Sequence, residues 1–192
     1  MTTPASIPDT TGPGADETAP DEPAPAASAD AAPAPLIVDD VLAYAAALPR
    51  DGRLLGLDLG SKTIGLALSD VTRLIASPLE TIKRVKLRID TERLMAVVAT
   101  HRIAGLVLGL PINLDGNEGP RAQSTRAFAK NLAGLHGASL PPLLLWDERL
   151  TTQAAERVLL EADQSRRRRA EVIDKMAAAL ILQSALDRIG RL

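Results

Sequence analysis

Two seven-residue apolar runs, Arg53–Leu59 (RLLGLDL) and Thr63–Ser69 (TIGLALS), lie three residues apart. Runs of that length and aliphatic content read as buried strands. A connection so short, through Gly60 and Ser61, leaves the chain no room for a crossover, so the pair must be an antiparallel hairpin. Asp58 stands inside the first run, an acid among apolar neighbours.

The rest of the chain extends this hairpin. Ser77–Ile82 (SPLETI) reads as a third strand, with Pro78 at its start or on a sheet edge. Asp90–His101 places Leu94, Val97 and Val98 on one helical stripe. Gly105–Leu110 is a short apolar strand stopped by Pro111, and a polar loop, Ile112–Glu118, follows. Pro120 suits a first helical position, and that helix runs to about Leu135. Leu143–Trp146 is a further buried strand, after which Thr151 or Thr152 can cap a helix. Val172–Ile189 is a long, nearly all-apolar helix ended by Gly190. Ahead of the hairpin, Asp39 or Asp40 can cap a short helix, Val41–Leu48, ended by Pro49. An antiparallel meander followed by alternating helices and strands predicts an α/β fold: a mixed five-stranded sheet with helices on both faces.

Composition divides the chain. Residues 1–35 hold eight prolines, ten alanines and six acids, with no Lys or Arg. They are expected to form a disordered acidic tail, because such a composition cannot bury a core. Residues 36–52 read as a short helix and linker, and 53–192 as the folded domain. The whole chain has a net charge of -2, but the remainder after the tail has 22 basic and 18 acidic residues. A mildly basic body is compatible with a polyanion partner. There are no cysteines and two histidines, so a disulfide framework and Cys- or His-rich metal sites are excluded. Any metal would take oxygen ligands, which points to Mg²⁺ or Mn²⁺. No apolar run is long enough to span a membrane, and the acidic start is neither a secretory signal nor a transit peptide. A cytoplasmic location is expected.

Three acids have apolar surroundings: Asp58 in the first strand, Glu148 just after the last, and Asp174 in the final helix. Taken singly, each has a plain explanation. Asp58 could be capped by a backbone amide or an arginine. Glu148 could pair with Arg149 or face solvent, and Asp174 could complement a helix N-terminus. Together they suggest more. If the first and last strands run parallel, Asp58 and Glu148 share one edge of the sheet, and a helix packed there adds Asp174. Converging carboxylates are costly unless a cation neutralises them. Such a site would hold one or two divalent ions and activate water against a phosphodiester. Lys62, Arg121, Arg126, Arg149 and the run Arg166, Arg167, Arg168 and Arg169 are candidates for contact with a phosphate backbone. Each could equally be a solvated face.

Five blocks carry a resemblance. LLGLDLGSKTIGLALSD (54–70), SPLETI (77–82), GLPINLDGNEGPRA (109–122), LWDERLTT (145–152) and DKMAAALILQ (174–183) occur in this order. Together they resemble the YqgF family of Holliday-junction-resolvase-like proteins. Ser61 stands where threonine is common, and Leu114 where methionine is common; neither is a proposed ligand. The resemblance covers residue 53 to about residue 190. It implies a ribonuclease-H-like fold and a nuclease acting at the 5′ end of pre-16S rRNA in ribosome biogenesis. It matches Asp58, Glu148 and Asp174 to the family's catalytic acids. RNA as partner rests on the resemblance alone.

Other readings stay open. A resolvase acting on branched DNA would use the same acids. A catalytically silent nucleic-acid-binding module would keep the fold without the chemistry. The stretch DLGSKTIGLAL also resembles the first phosphate loop of actin-like and sugar-kinase-like ATPases. Those need two such domains, whereas this chain offers one.

Overall fold

The computed structural model describes residues 35–151 and 166–192, those from 166 to 173 by backbone alone. In chain order the strands are β1 (Ile37–Val38), β2 (Arg53–Leu59), β3 (Thr63–Ser69), β4 (Ala76–Lys83), β5 (Ile103–Leu110) and β6 (Leu143–Asp147). The helices are α1 (Val41–Ala47), α2 (Leu87–His101), α3 (Pro120–His136) and α4 (Arg166–Ile189). The acidic tail up to residue 34, the cap proposed at Thr152, and the side chains of Arg166 to Arg169 lie outside the described residues.

The hairpin forms as its spacing demands: β2 and β3 pair antiparallel, with Asp58 opposite Gly65. β4 adds antiparallel to β3 and ends the sheet, so Pro78, which has no N–H to donate, sits on an edge strand. On the other side β5 pairs parallel with β2, and β6 parallel with β5. The order is β1-β6-β5-β2-β3-β4, six strands rather than the five expected. The additional strand is β1, whose two residues lie parallel to β6 with Ile37 opposite Leu143. A two-residue strand has no period, which is why no pattern announced it.

Alternation along the strands sorts the sheet into two cores. Leu55, Leu57 and Leu59 of β2 and Leu106, Leu108 and Leu110 of β5 face one side, with Leu94, Val97 and Val98 of α2 and Phe128 and Leu132 of α3. Leu54, Val107, Leu144 and Trp146 face the other, beneath α4 and α1. Helices therefore cover both faces, and Trp146 is core, 5% exposed.

The segment before β2 is woven into this second core. Asp40 caps α1 by accepting from the Ala43 N–H at 2.7 Å. Tyr44 is fully buried, in space left by Gly105, where a Cβ would lie 2.4 Å from the tyrosine oxygen. Helix α2 begins three residues before the expected Asp90. The Asp90 carboxylate accepts from the Val85 N–H at 2.9 Å, so Asp90 is a buried first-turn residue that ties the helix back to its loop. Pro120 does open α3.

Candidate active site

Asp58 follows Leu54 and Gly56 in the alternation of β2 and so belongs to the α4 side of the sheet. Its neighbours across the strands are both glycines. Gly65 is its partner on β3, and Gly109 on β5 lies one residue beyond the Leu57–Leu108 pair. Glycine inside a strand marks the close approach of another group. At Gly65 a Cβ would fall 2.1 Å from the carbonyl oxygen of Asp174. At Gly109 it would fall 2.6 Å from Oε1 of Glu148. The backbone of Asp174 thus rests on one neighbour of Asp58, and the Glu148 carboxylate on the other. The three acids picked from the sequence come to the same end of the sheet.

Each is placed by local structure. Glu148 opens a short 3₁₀ turn, Glu148–Leu150, directly after β6. Asp147 organises that turn: it accepts from the Arg149 N–H at 3.0 Å and binds the Arg149 guanidinium at 2.7 Å. That guanidinium holds the Asp147 carboxyl below its ordinary range. Arg149 therefore neutralises Asp147 and not Glu148. Asp174 is the ninth residue of α4, more than two turns from its start, where the charge of a helix N-terminus no longer acts. Its Oδ2 instead accepts from Thr63 Oγ1 at 2.6 Å. Thr63 opens β3, so the β2–β3 turn ties Asp174 to the strand that carries Asp58.

The electrostatics are those of crowded acids. Burial, then the charge of Asp174, pushes Asp58 up to about 6, while Arg121 opposes. Burial, then the charge of Asp58, pushes Glu148 up to about 7, again against Arg121. Among the described residues neither carboxylate takes an ion pair. Nor do the described residues bring three acid, His or Cys side chains close enough together to chelate one ion. By its chemistry the donor set suits a hard cation. The donors are all oxygen, they repel one another, and Asp58 is coupled to both of its neighbours. Mg²⁺ in particular is held by one or two carboxylates plus water or substrate oxygens.

Beside Asp174 runs an open cleft of about 1060 Å³, lined by Lys62, Lys83, Arg84, Arg121 and Ser124 among others. Of the proposed backbone contacts, the structure brings Lys62 and Arg121 to it. It does not bring Arg126 or Arg149 there. Arg126 grips Glu118 at 2.7 Å and Asp39 at 2.9 Å, which raises its pKa further. Thr63 and Arg84 were not singled out in the sequence. Gly65 and Gly109 could have been, since glycine weakens a strand unless something must approach it.

A meander followed by parallel strands, with acids at the ends of β2 and β6 and on the covering helix, defines the ribonuclease-H-like class. Residues 52–188 match the family model described as RuvX, Holliday junction resolvase, and the chain belongs to that family. A protein of Roseobacter denitrificans named "Putative pre-16S rRNA nuclease" is 60% identical over 154 residues, covering 80% of this chain and 94% of that one. A protein of the same name from Paramagnetospirillum magneticum is 64% identical over 142 residues, covering 74% and 90%. Thermus thermophilus RuvC, solved in complex with a Holliday junction substrate, has a TM-score of 0.48 at 20% identity, covering 72% of this chain and 96% of that one. No helix among the described residues is long and apolar enough to cross a membrane.

Proposed function

We propose that this nuclease hydrolyses RNA phosphodiester bonds with Mg²⁺ or Mn²⁺, in the cytoplasm, and trims the 5′ end of pre-16S rRNA. The observation that carries the reading is the approach of Asp174 and Glu148 to Gly65 and Gly109, the glycines on either side of Asp58, at one end of the sheet. Asp58, Glu148 and Asp174 would hold the ions. When bound, the divalent ions supply the Lewis acidity that activates water and stabilises the leaving oxygen.

The protein's own groups do the rest. Thr63 fixes the rotamer of Asp174, and Gly109 leaves room for Glu148 to lie against β5. Arg121, whose charge already reaches Asp58 and Glu148, draws the phosphate toward the acids. Lys62, at the turn after Asp58, adds a second backbone contact. The run Arg166–Arg169 extends the proposed contact set. The names of the relatives favour pre-16S rRNA as substrate. The family description favours a second reading, a four-way DNA junction cut by the same acids.

The test is a cleavage assay with Mg²⁺ or Mn²⁺ on a pre-16S rRNA 5′ leader and on a four-way junction, beside Asp58→Asn. Cut leader, intact junction and a silent variant are expected. Cleavage of the junction alone moves the protein to the second reading. Wild type that cuts neither, with either metal, leaves a binding module.

A further inference from the structure

We propose that Arg84, at the end of β4, seats a phosphate of the substrate chain in the cleft, beside the bond that is cut. This rests on the nuclease reading of the acids and adds a residue that neither sequence pattern nor family name assigns.

Three observations lead to Arg84. The first is how it is held. Its backbone N–H donates to the Lys62 carbonyl at 2.9 Å, and its Nη1 donates to the Gly60 carbonyl at 2.7 Å. One edge of the guanidinium is thereby fixed against the β2–β3 turn, two residues from Asp58. A guanidinium has five N–H donors, and the Gly60 strap uses one. The second is charge. Arg88, Arg93, Arg126 and Arg149 each grip a carboxylate. Among the described residues Lys62, Arg84 and Arg121 grip none, and these three line one cleft. Cations without an ion-pair partner gathered in one place repel each other, which is tolerable where an anion is to be bound. The third is the course of the cleft. It runs from Lys62 and Arg84 on the hairpin side to Arg121 and Ser124 on α3, and it includes Asp174. A chain lying there passes Asp174, and its phosphates meet the cations.

The ligand is a phosphodiester chain rather than a small anion. The cleft is open, and its cations come from the hairpin turn, the end of the sheet and α3, as suits an extended chain rather than one small anion. A guanidinium with one edge anchored is pre-organised to give its other edge to two oxygens of one phosphate.

The experiment measures binding without catalysis. A labelled single-stranded RNA and a labelled four-way DNA junction are titrated in EDTA, from low to physiological salt, with wild type, Arg84→Gln and Arg84→Lys. Glutamine keeps an N–H for Gly60 and loses the charge. On the nucleic acid that is the true ligand, Arg84→Gln should lower the log–log salt slope by about 0.7 for single-stranded RNA or 0.9 for duplex arms. Arg84→Lys should keep the slope but bind several-fold more weakly at fixed salt, because a point charge replaces a two-pronged contact. Melting curves check that both variants fold. If Arg84→Gln does not, the lysine variant decides alone: affinity equal to wild type overturns the proposal. Unchanged slopes for Arg84→Gln on both ligands also overturn it, as does a wild type that binds neither. A flattened slope in a protein that cuts nothing would sink the nuclease reading and leave Arg84 as a phosphate seat. Cleavage with unchanged slopes would do the opposite.

Discussion

Asp58 carries a charge that its surroundings oppose. Burial and Asp174 push its carboxyl up to about 6, and among the described residues it has no cationic partner within ion-pair reach. Removing the charge should therefore help the fold while harming the chemistry. In EDTA at about pH 8, Asp58→Asn should be as stable as wild type or more so, by about 1–2 kcal/mol after allowance for solvent screening. Its cleavage rate should fall at least about a hundredfold, since carboxylates sharing ions act as a unit. Chemical denaturation and single-turnover rates on the same preparations check both halves. A variant that is clearly destabilised would mean that Asp58 has a structural partner. Thr63 offers a finer test. Its hydroxyl donates to Asp174 at 2.6 Å, and a hydrogen bond to a charged group is worth about 1.5–3 kcal/mol. Thr63→Val should slow cleavage by about tenfold, while Thr63→Ser, which keeps the donor, should restore most of the rate. If valine and serine behave alike, Thr63 does not position Asp174.

At the scale of elements, the site is made by how closely α4 lies on the sheet. Gly56 and Gly65 admit it: a Cβ at Gly56 would fall 2.7 Å from the Leu182 Cβ, and one at Gly65 2.1 Å from a backbone oxygen of α4. Backbone cannot rotate out of the way as a side-chain tip can. Gly65→Ala should therefore lift the helix and cost about 1–3 kcal/mol, with a lowered melting temperature. Gly109→Ala meets only the ends of Glu148 and Ile181, so its melting temperature should move less while cleavage falls, because Glu148 must turn away. A Gly65→Ala protein that melts like wild type would mean that the helix has slack. These contacts also explain what could be read in advance. The runs Arg53–Leu59 and Thr63–Ser69 are strands to the residue, because an apolar run bounded by a glycine turn has few alternatives. Asp58, Glu148 and Asp174 were legible as candidates because each breaks an apolar context. Arg126 and Arg149 were not separable from Lys62 and Arg121, because a basic residue in a sequence does not display its partner. Glu118 and Asp39, which hold Arg126, lie 8 and 87 residues away. Arg84 was hidden for a similar reason: its role comes from a strap to a turn on a different strand.

At the scale of the whole molecule, β1 and Tyr44 extend the folded unit to the N-terminal side of β2. A chain starting at Pro35 should keep the melting temperature and activity of the full protein. One starting at Gly52 should lose stability, because the β1–β6 pairing and the fully buried Tyr44 go with the missing segment. Equal melting of the two would make the segment an ornament. Charge offers the other global test. Asp58 and Glu148, raised to about 6 and about 7, bind protons more readily in the folded chain than in the unfolded one. The folded state is therefore favoured while both are protonated below their ordinary pKa values. That advantage is lost as pH rises through 6 and 7. Asp70, Asp115 and Asp147 are lowered, so they stay ionised throughout this range, and their contribution is lost only in more acidic solution. In EDTA the wild type should thus lose about 2 kcal/mol between about pH 5 and about pH 8, discounted for the exposure of Glu148. Added Mg²⁺ or Mn²⁺ should reverse the trend, because the ion binds only the deprotonated folded site and stabilises it by mass action. Asp58→Asn should flatten both the decline and its reversal. Thermal melts across the range, with and without metal, decide the matter: a wild type whose stability rises toward pH 8 in EDTA, or ignores the ions there, has no crowded acid site to fill.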